Sequence, residues 1–262
     1  MLGRFVKIGF GLMIIIFLVA PLFAILPLAF TSGMFLTYPV PDWSTRWFEE
    51  LVTADAWRRS IINSLVIGLG TTVLATVLGT LAALGLRHQG LPFALPIRTL
   101  FILPMVIPAV VLGVGMQLLF GQLGLTNTYA GVIVAHTIVA IPLVYITVSG
   151  AVAGIDRRVE LAAYSLGASP FTVMRKVTLP LASPGIASGA VLAFATSLDE
   201  VVLTLFVAGP NQRTLARQMF STIRENISPA IAAAALIFIV GTIIVGLLSM
   251  ALHRRMKRRL TQ

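Results

Sequence analysis

Apolar positions along the chain fall in six long runs, at about 8–30, 61–86, 98–121, 129–152, 184–207 and 229–252. A helix needs about 20 apolar residues to cross the hydrocarbon layer of a bilayer, and each run is long enough. An open segment can cross only as a helix, because lipid offers no partners to unpaired backbone groups. The pattern predicts an all-α, polytopic membrane protein with about six transmembrane helices, forming a single domain over 1–262. The first run follows Arg4 and Lys7 and exceeds the roughly 7–15 residues of a signal-peptide core. It is expected to remain as the first helix.

Two runs are irregular. The third carries Pro104 and Pro108, then Gly113 and Gly115, which predicts a kinked helix. The fifth contains Asp199 and Glu200. Carboxylates inside a bilayer are costly and usually face a bundle interior or water. At about 1.5 Å per residue, Asp199 falls in the outer half of its span. Neighbouring residues of a helix point about 100° apart, so a continuous helix would not aim both at one path. They are candidates for a gate or site on the route of a cationic substrate. Pairing with an outer arginine, or solvation at the outer boundary, is the other reading.

Polar stretches between the runs also carry pattern. The segment 31–60 holds Tyr38, Trp43, Trp47, Phe48 and Trp57, and aromatic residues favour the membrane–water boundary. A short interfacial helix is expected over 43–59. Leu215, Met219 and Ile223, with Phe220, predict an amphipathic helix before the last run. Ser228 and Pro229 then suit the cap and first turn of that run.

Composition agrees: 58% of the 262 residues are hydrophobic and 11% charged, with a formal net charge of +10. The basic excess is explained by topology. With the N-terminus cytoplasmic, both termini lie inside. Thirteen of the 19 basic residues then fall on the inner side, as the positive-inside rule requires. Nucleic acid is not an expected partner. A multi-pass membrane protein is therefore expected. No cysteine is present, which removes disulfides and thiolate chemistry. His88, His136 and His253 are far apart, and no cofactor or metal site is indicated. No lysine follows a glycine, so the chain lacks a P-loop for ATP. It also lacks the H-E-x-x-H and G-x-S-x-G patterns of common hydrolases.

The inner loop 155–183 is the most informative segment. Val159, Ala162, Ala163 and Leu166 define one apolar helical face, and Gly167 permits a turn. Ser169 and Pro170 suit the cap and first turn of a second short helix. Phe171, Met174 and Val177 give it an apolar face, and Pro180 and Pro184 are expected to end it. The product is a helix–turn–helix knob with apolar positions free to dock.

This loop resembles the EAA loop of binding-protein-dependent ABC importers. Ala162-Ala163 is followed by Gly167, and nine residues later by Val177-Thr-Leu179-Pro180. Leu161 occupies the position of the usual glutamate, with Glu160 one place earlier. The resemblance implies a type I importer permease fold with a cytoplasmic coupling helix between helices 4 and 5. Its ATPase-contacting set would be Glu160, Ala162, Ala163, Leu166, Gly167, Ala168, Ser169, Pro170, Leu179 and Pro180. It implies a pair of cytoplasmic ATP-binding subunits, a sister or identical permease subunit and an extracytoplasmic solute-binding protein. Catalysis of ATP hydrolysis would belong to the partner chains. Ser197-Leu-Asp199-Glu200, Phe206-Val-Ala-Gly209-Pro210 and Asn226-Ile-Ser-Pro229 are further similar to the polyamine-type permeases. These import spermidine, putrescine and related amines or aminophosphonates. A self-contained channel or secondary transporter is the alternative reading, and it would not need the knob.

Overall fold

The computed structural model of the chain describes residues 2–87, 93–225 and 227–260. His88 and Asn226 lie outside the described residues, as do the side chains of His253 and the basic residues at 254, 255 and 257–259. Among the described residues all regular structure is helical, apart from one isolated bridge between Thr31 and Trp43. In order the α-helices are α1 (Leu2–Ala29), α2 (Arg46–Thr53), α3 (Asp55–Gly85), α4 (Ala94–Ile102), α5 (Ala109–Gln122) and α6 (Tyr129–Ala153). There follow α7 (Arg157–Ser165), α8 (Pro170–Val173), α9 (Leu179–Asp199), α10 (Val202–Val207), α11 (Leu215–Glu225) and α12 (Ala230–Leu260). Five described helices are long and apolar enough to span a bilayer, and a bent pair raises the number to six.

The chain divides into two compact units, residues 1–58 with 218–241 and residues 59–217 with 242–262. In the first, α1 leaves most of its apolar side chains exposed, Phe17 and Phe23 among them. That surface suits lipid. The aromatic segment is two helices rather than one, because Ala54 adopts extended backbone (ψ 121°) between α2 and α3. Trp47, Leu51 and Trp57 are buried while Trp43 is exposed. Phe30 and Phe48 rings pack at 5.0 Å between centroids.

In the second unit, α6 and α9 form the main helix pair. Small residues on α9 permit it: Gly185, Gly189 and Ala193 recur every four residues along one face. A Cβ on Gly189 would meet Thr147 and Val144 of α6, and one on Gly185 would meet Ala151. Small residues at this spacing let membrane helices approach and pack by dispersion contacts. Around the crossing lies a core of Ala75, Ala140, Val144, Tyr145, Val148 and Ala182. A second cluster joins Ile67 of α3, Met116 and Phe120 of α5, Val132 of α6 and Leu203 and Val207 of α10.

Two expected runs differ in detail. The third is broken rather than kinked. Pro104 sits in a 3₁₀ turn over Leu103–Met105, Pro108 is extended (ψ 132°), and the axes on either side of the break differ by 102°. Two prolines four residues apart remove donors from successive turns. Proline also drives its predecessor out of the helical region. The fifth run is broken at Glu200, whose backbone is extended (ψ 106°) between α9 and α10. Its first end, by contrast, is longer than expected. Pro180 and Pro184 do not end the short helix α8, which continues through a π-helical turn (Met174–Thr178) into α9. Pro180 falls in the first turn of α9. The carbonyl that Pro184 leaves without a donor, that of Pro180, accepts from the Ser183 hydroxyl at 2.7 Å.

Candidate functional site

The helix–turn–helix knob of α7 and α8 is built from local backbone chemistry. Asp156 caps α7, its Oδ1 accepting from the Arg158 amide at 2.9 Å. At the other end Gly167 has φ +84°, a left-handed conformation that favours glycine. The Gly167 amide donates to the Tyr164 carbonyl (2.9 Å) and the Ala168 amide to that of Ala163 (3.1 Å). This pair of bonds is the Schellman closure of a helix end. Ser169 then caps α8 by accepting from the Thr172 amide, with Pro170 as the first helical residue. One short helix therefore stops and the next starts within Leu166–Ser169.

Of the apolar side chains marked in the sequence, Val159, Ala162, Leu166 and Phe171 are exposed, while Met174 and Val177, in the π-helical turn, are half-buried. Leu166 is 89% exposed and Phe171 65%, and Val159, Leu161 and Tyr164 are exposed too. Ala162, Gly167, Ser169 and Pro170 lie on the surface, while Ala163 and Ala168 are half-buried. Leu179 and Pro180 stand apart from this surface, in the first turn of α9.

Glu160 points the other way. Its Oε1 accepts from Arg87 Nη1 and from Thr178 Oγ1, each at 2.6 Å. Burial opposes ionisation of this carboxyl. The hydrogen bonds from Thr178 and Arg87 and the charges of Arg87 and Arg157 outweigh that, holding it below the usual carboxylate range. Arg87 and Thr178 were not singled out in the sequence. The one available signal was a lone Glu in a basic loop, which needs an inward partner once it is buried.

The second region is the break between α9 and α10. Because the helix ends at Asp199, the two carboxylates do not diverge as they would on a continuous helix. Asp199, Glu200, Ala195 and Thr196 line one open pocket of about 350 Å³. Asp199 is exposed and Glu200 half-buried. Glu200 Oε1 accepts from the Leu203 amide at 2.9 Å and so caps α10. Among the described residues neither carboxylate forms an ion pair, contrary to the pairing with an outer arginine. Arg217 instead donates to the carbonyls of Thr204 (3.0 Å) and Ala208 (2.7 Å), where α10 ends.

His136 of α6 holds the break from behind. It is fully buried, with Nδ1 2.8 Å from Ser197 Oγ and Nε2 2.9 Å from Thr204 Oγ1. The Thr204 hydroxyl donates to the Glu200 carbonyl (2.9 Å), so it can only accept from the imidazole. Nε2 therefore carries the proton and Nδ1 accepts from Ser197. One side chain joins α6, α9 and α10 through a directed chain of hydrogen bonds.

A helical membrane subunit with an interrupted penultimate span and an exposed short helix pair before it is the architecture of a type I importer permease. The family described as binding-protein-dependent transport system inner membrane component matches residues 75–262, and the chain belongs to it. The spermidine/putrescine transport system permease protein PotC of Escherichia coli (strain K12) is 31% identical over 257 residues, covering 97% of this chain and 96% of PotC. The molybdenum transport system permease protein ModB of Mycobacterium bovis (strain ATCC BAA-935 / AF2122/97) is 35% identical over 219 residues, 78% of this chain and 82% of ModB. Among solved structures, a bacterial ABC transporter involved in the import of the acidic polysaccharide alginate superposes with a TM-score of 0.74 at 17% identity. That match covers all of this chain and 96% of the other.

Proposed function

We propose that this chain lines the translocation path of an ATP-driven importer for a small cationic amine, a polyamine being the best fit. The observation that carries the solute class is the convergence of Asp199 and Glu200 on one open pocket at a helix break. Two carboxylates that form no ion pair among the described residues suit a substrate with two or more ammonium groups, which would replace part of its hydration shell with charge-assisted hydrogen bonds. The full-length likeness to PotC, named for spermidine and putrescine, supports the same class. The likeness to ModB covers less of this chain.

The knob of α7 and α8 is the docking element for a cytoplasmic ATP-binding subunit, one of a pair, with Leu166 and Phe171 as apolar anchors. A sister or identical permease completes the path, and an extracytoplasmic solute-binding protein delivers the amine. Both termini are cytoplasmic. ATP favours one access state through its differential affinity for the two states. Hydrolysis, carried out in the partner chains, resets it.

Co-expression with a binding protein, an ATPase and a second permease, followed by reconstitution in proteoliposomes, tests this. The expected result is ATP-dependent accumulation of radiolabelled spermidine or putrescine, competed by other diamines. Accumulation of molybdate and not of amines would overturn the solute class. Transport by this chain without an ATPase would overturn the importer reading.

A further inference from the structure

Seven of the nine residues of α7 are exposed, and only Glu160 and Ala163 turn inward. The knob's first helix is therefore not held by an apolar face. Its side-chain attachment is the Glu160 carboxylate, whose side chain is only 14% exposed and lies 2.6 Å from the Arg87 guanidinium. Arg87 lies two residues past the end of α3, after Leu86 of the buried core, and its Nη2 also reaches the Ile155 carbonyl (3.4 Å). The other donor, Thr178, is buried and closes the π-helical turn that leads into α9. π-Helical turns in α-helices are frequent at functional sites. One carboxylate thus bonds the knob to the inner ends of two different spans.

We propose that Glu160 is a positioning residue that locks the knob to α3 and α9 together, so that displacement of the knob by a docked ATPase moves both spans as one. This rests on the importer reading above, and it assigns Glu160 to transmission rather than to the docking surface. A charge-assisted hydrogen bond inside a partly buried site is strong and directional. Glutamine at position 160 would keep the shape and lose the charge. Valine at position 178 would keep the shape and lose one donor.

The test uses the reconstituted complex with its ATPase and binding protein. Solute imported per ATP hydrolysed is read for Glu160→Gln, Arg87→Gln, Thr178→Val and the double exchange Glu160→Arg with Arg87→Glu. Loss of the charged bond is expected to lower the ratio about tenfold in the first two variants and about threefold in Thr178→Val. The double exchange is expected to recover a large part of it. A role confined to holding the fold would lower the yield of complex without changing the ratio. An unchanged ratio in Thr178→Val and Glu160→Gln overturns the inference while the parent complex still transports. So does a double exchange no better than the single variants. If Glu160→Gln fails to assemble, the ratio in Thr178→Val decides. A parent complex that neither retains an ATPase nor consumes ATP removes the importer reading, and this inference with it.

Discussion

Gly189 of α9 lies against Thr147 of α6 with no room for a side chain: a Cβ on the glycine would stand 2.7 Å from the Thr147 hydroxyl oxygen and 3.1 Å from Val144 Cα. Part of that limit is backbone, so a larger residue cannot be admitted by a change of rotamer alone. Gly189→Val is expected to part the two helices and destabilise the second unit by about 1–3 kcal/mol, the usual cost of overpacking. Thermal unfolding of the detergent-purified protein measures it. A midpoint equal to that of the parent would show that the crossing is looser than described.

Gly167 makes the opposite case. Nothing lies within 4 Å of a Cβ built there, and only its φ of +84° resists substitution. Gly167→Asn should therefore be milder than Gly167→Ala, and Gly167→Val the most severe, at about 1–2 kcal/mol or more of local strain. Retention of the ATPase during purification is expected to fall in that order. Equal retention in all three variants would separate the turn from docking.

His136→Leu removes the acceptor of Ser197 and the donor to Thr204 in a fully buried site. The Ser197 hydroxyl, left unpaired, costs about 1–3 kcal/mol, whereas that of Thr204 keeps its bond to the Glu200 carbonyl. Reduced thermal stability and reduced uptake are expected together, since the break that sets the Asp199–Glu200 pocket loses its support. His136→Gln, which can both donate and accept, should be intermediate.

Asp199→Asn with Glu200→Gln is expected to raise the KM for spermidine more than that for any monoamine also imported, because only the polyamine uses both charges. Glu200→Gln alone keeps an acceptor for the Leu203 amide, so it should spare folding. Unaltered uptake kinetics in the double variant would remove both groups from the path.

The Glu160 ion pair has a defined pH window. The folded carboxyl lies below its ordinary value of 4.5. The stability it contributes is therefore complete above that value and lost as pH falls through the lower folded one. Amide protection factors in α7 should be level from neutral pH to about 5 and decline only in more acidic solution, while Glu160→Gln should show no such step.

Much of this was legible in the sequence. Run lengths of about 20 apolar residues announced the spans, and the positions of Gly167, Ser169 and Pro170 announced the turn between α7 and α8, because these depend on local chemistry. The helix break at Glu200 was not, since no proline or glycine marks it. It is supported by bonds from His136 and Thr204, which lie 64 and 4 positions away. The inward turn of Glu160 depends on Arg87, 73 residues earlier, and periodicity within one loop carries no trace of that. The prolines at 180 and 184 misled for a different reason: a π-helical turn and the Ser183 hydroxyl accommodate them without ending the helix.

That turn has a geometric consequence. A π-turn carries one residue more than an α-turn, so everything beyond it is rotated by about 100° relative to an unbroken α-helix. Met174–Thr178 is thus a phase shifter between α8 and α9. It allows Thr178 to meet Glu160 while Gly185 and Gly189, further along, still face α6. Deleting a single residue there would restore α-helical phase and swing α8, with Phe171, to another side of the membrane axis, leaving every residue of the knob intact and its bearing wrong.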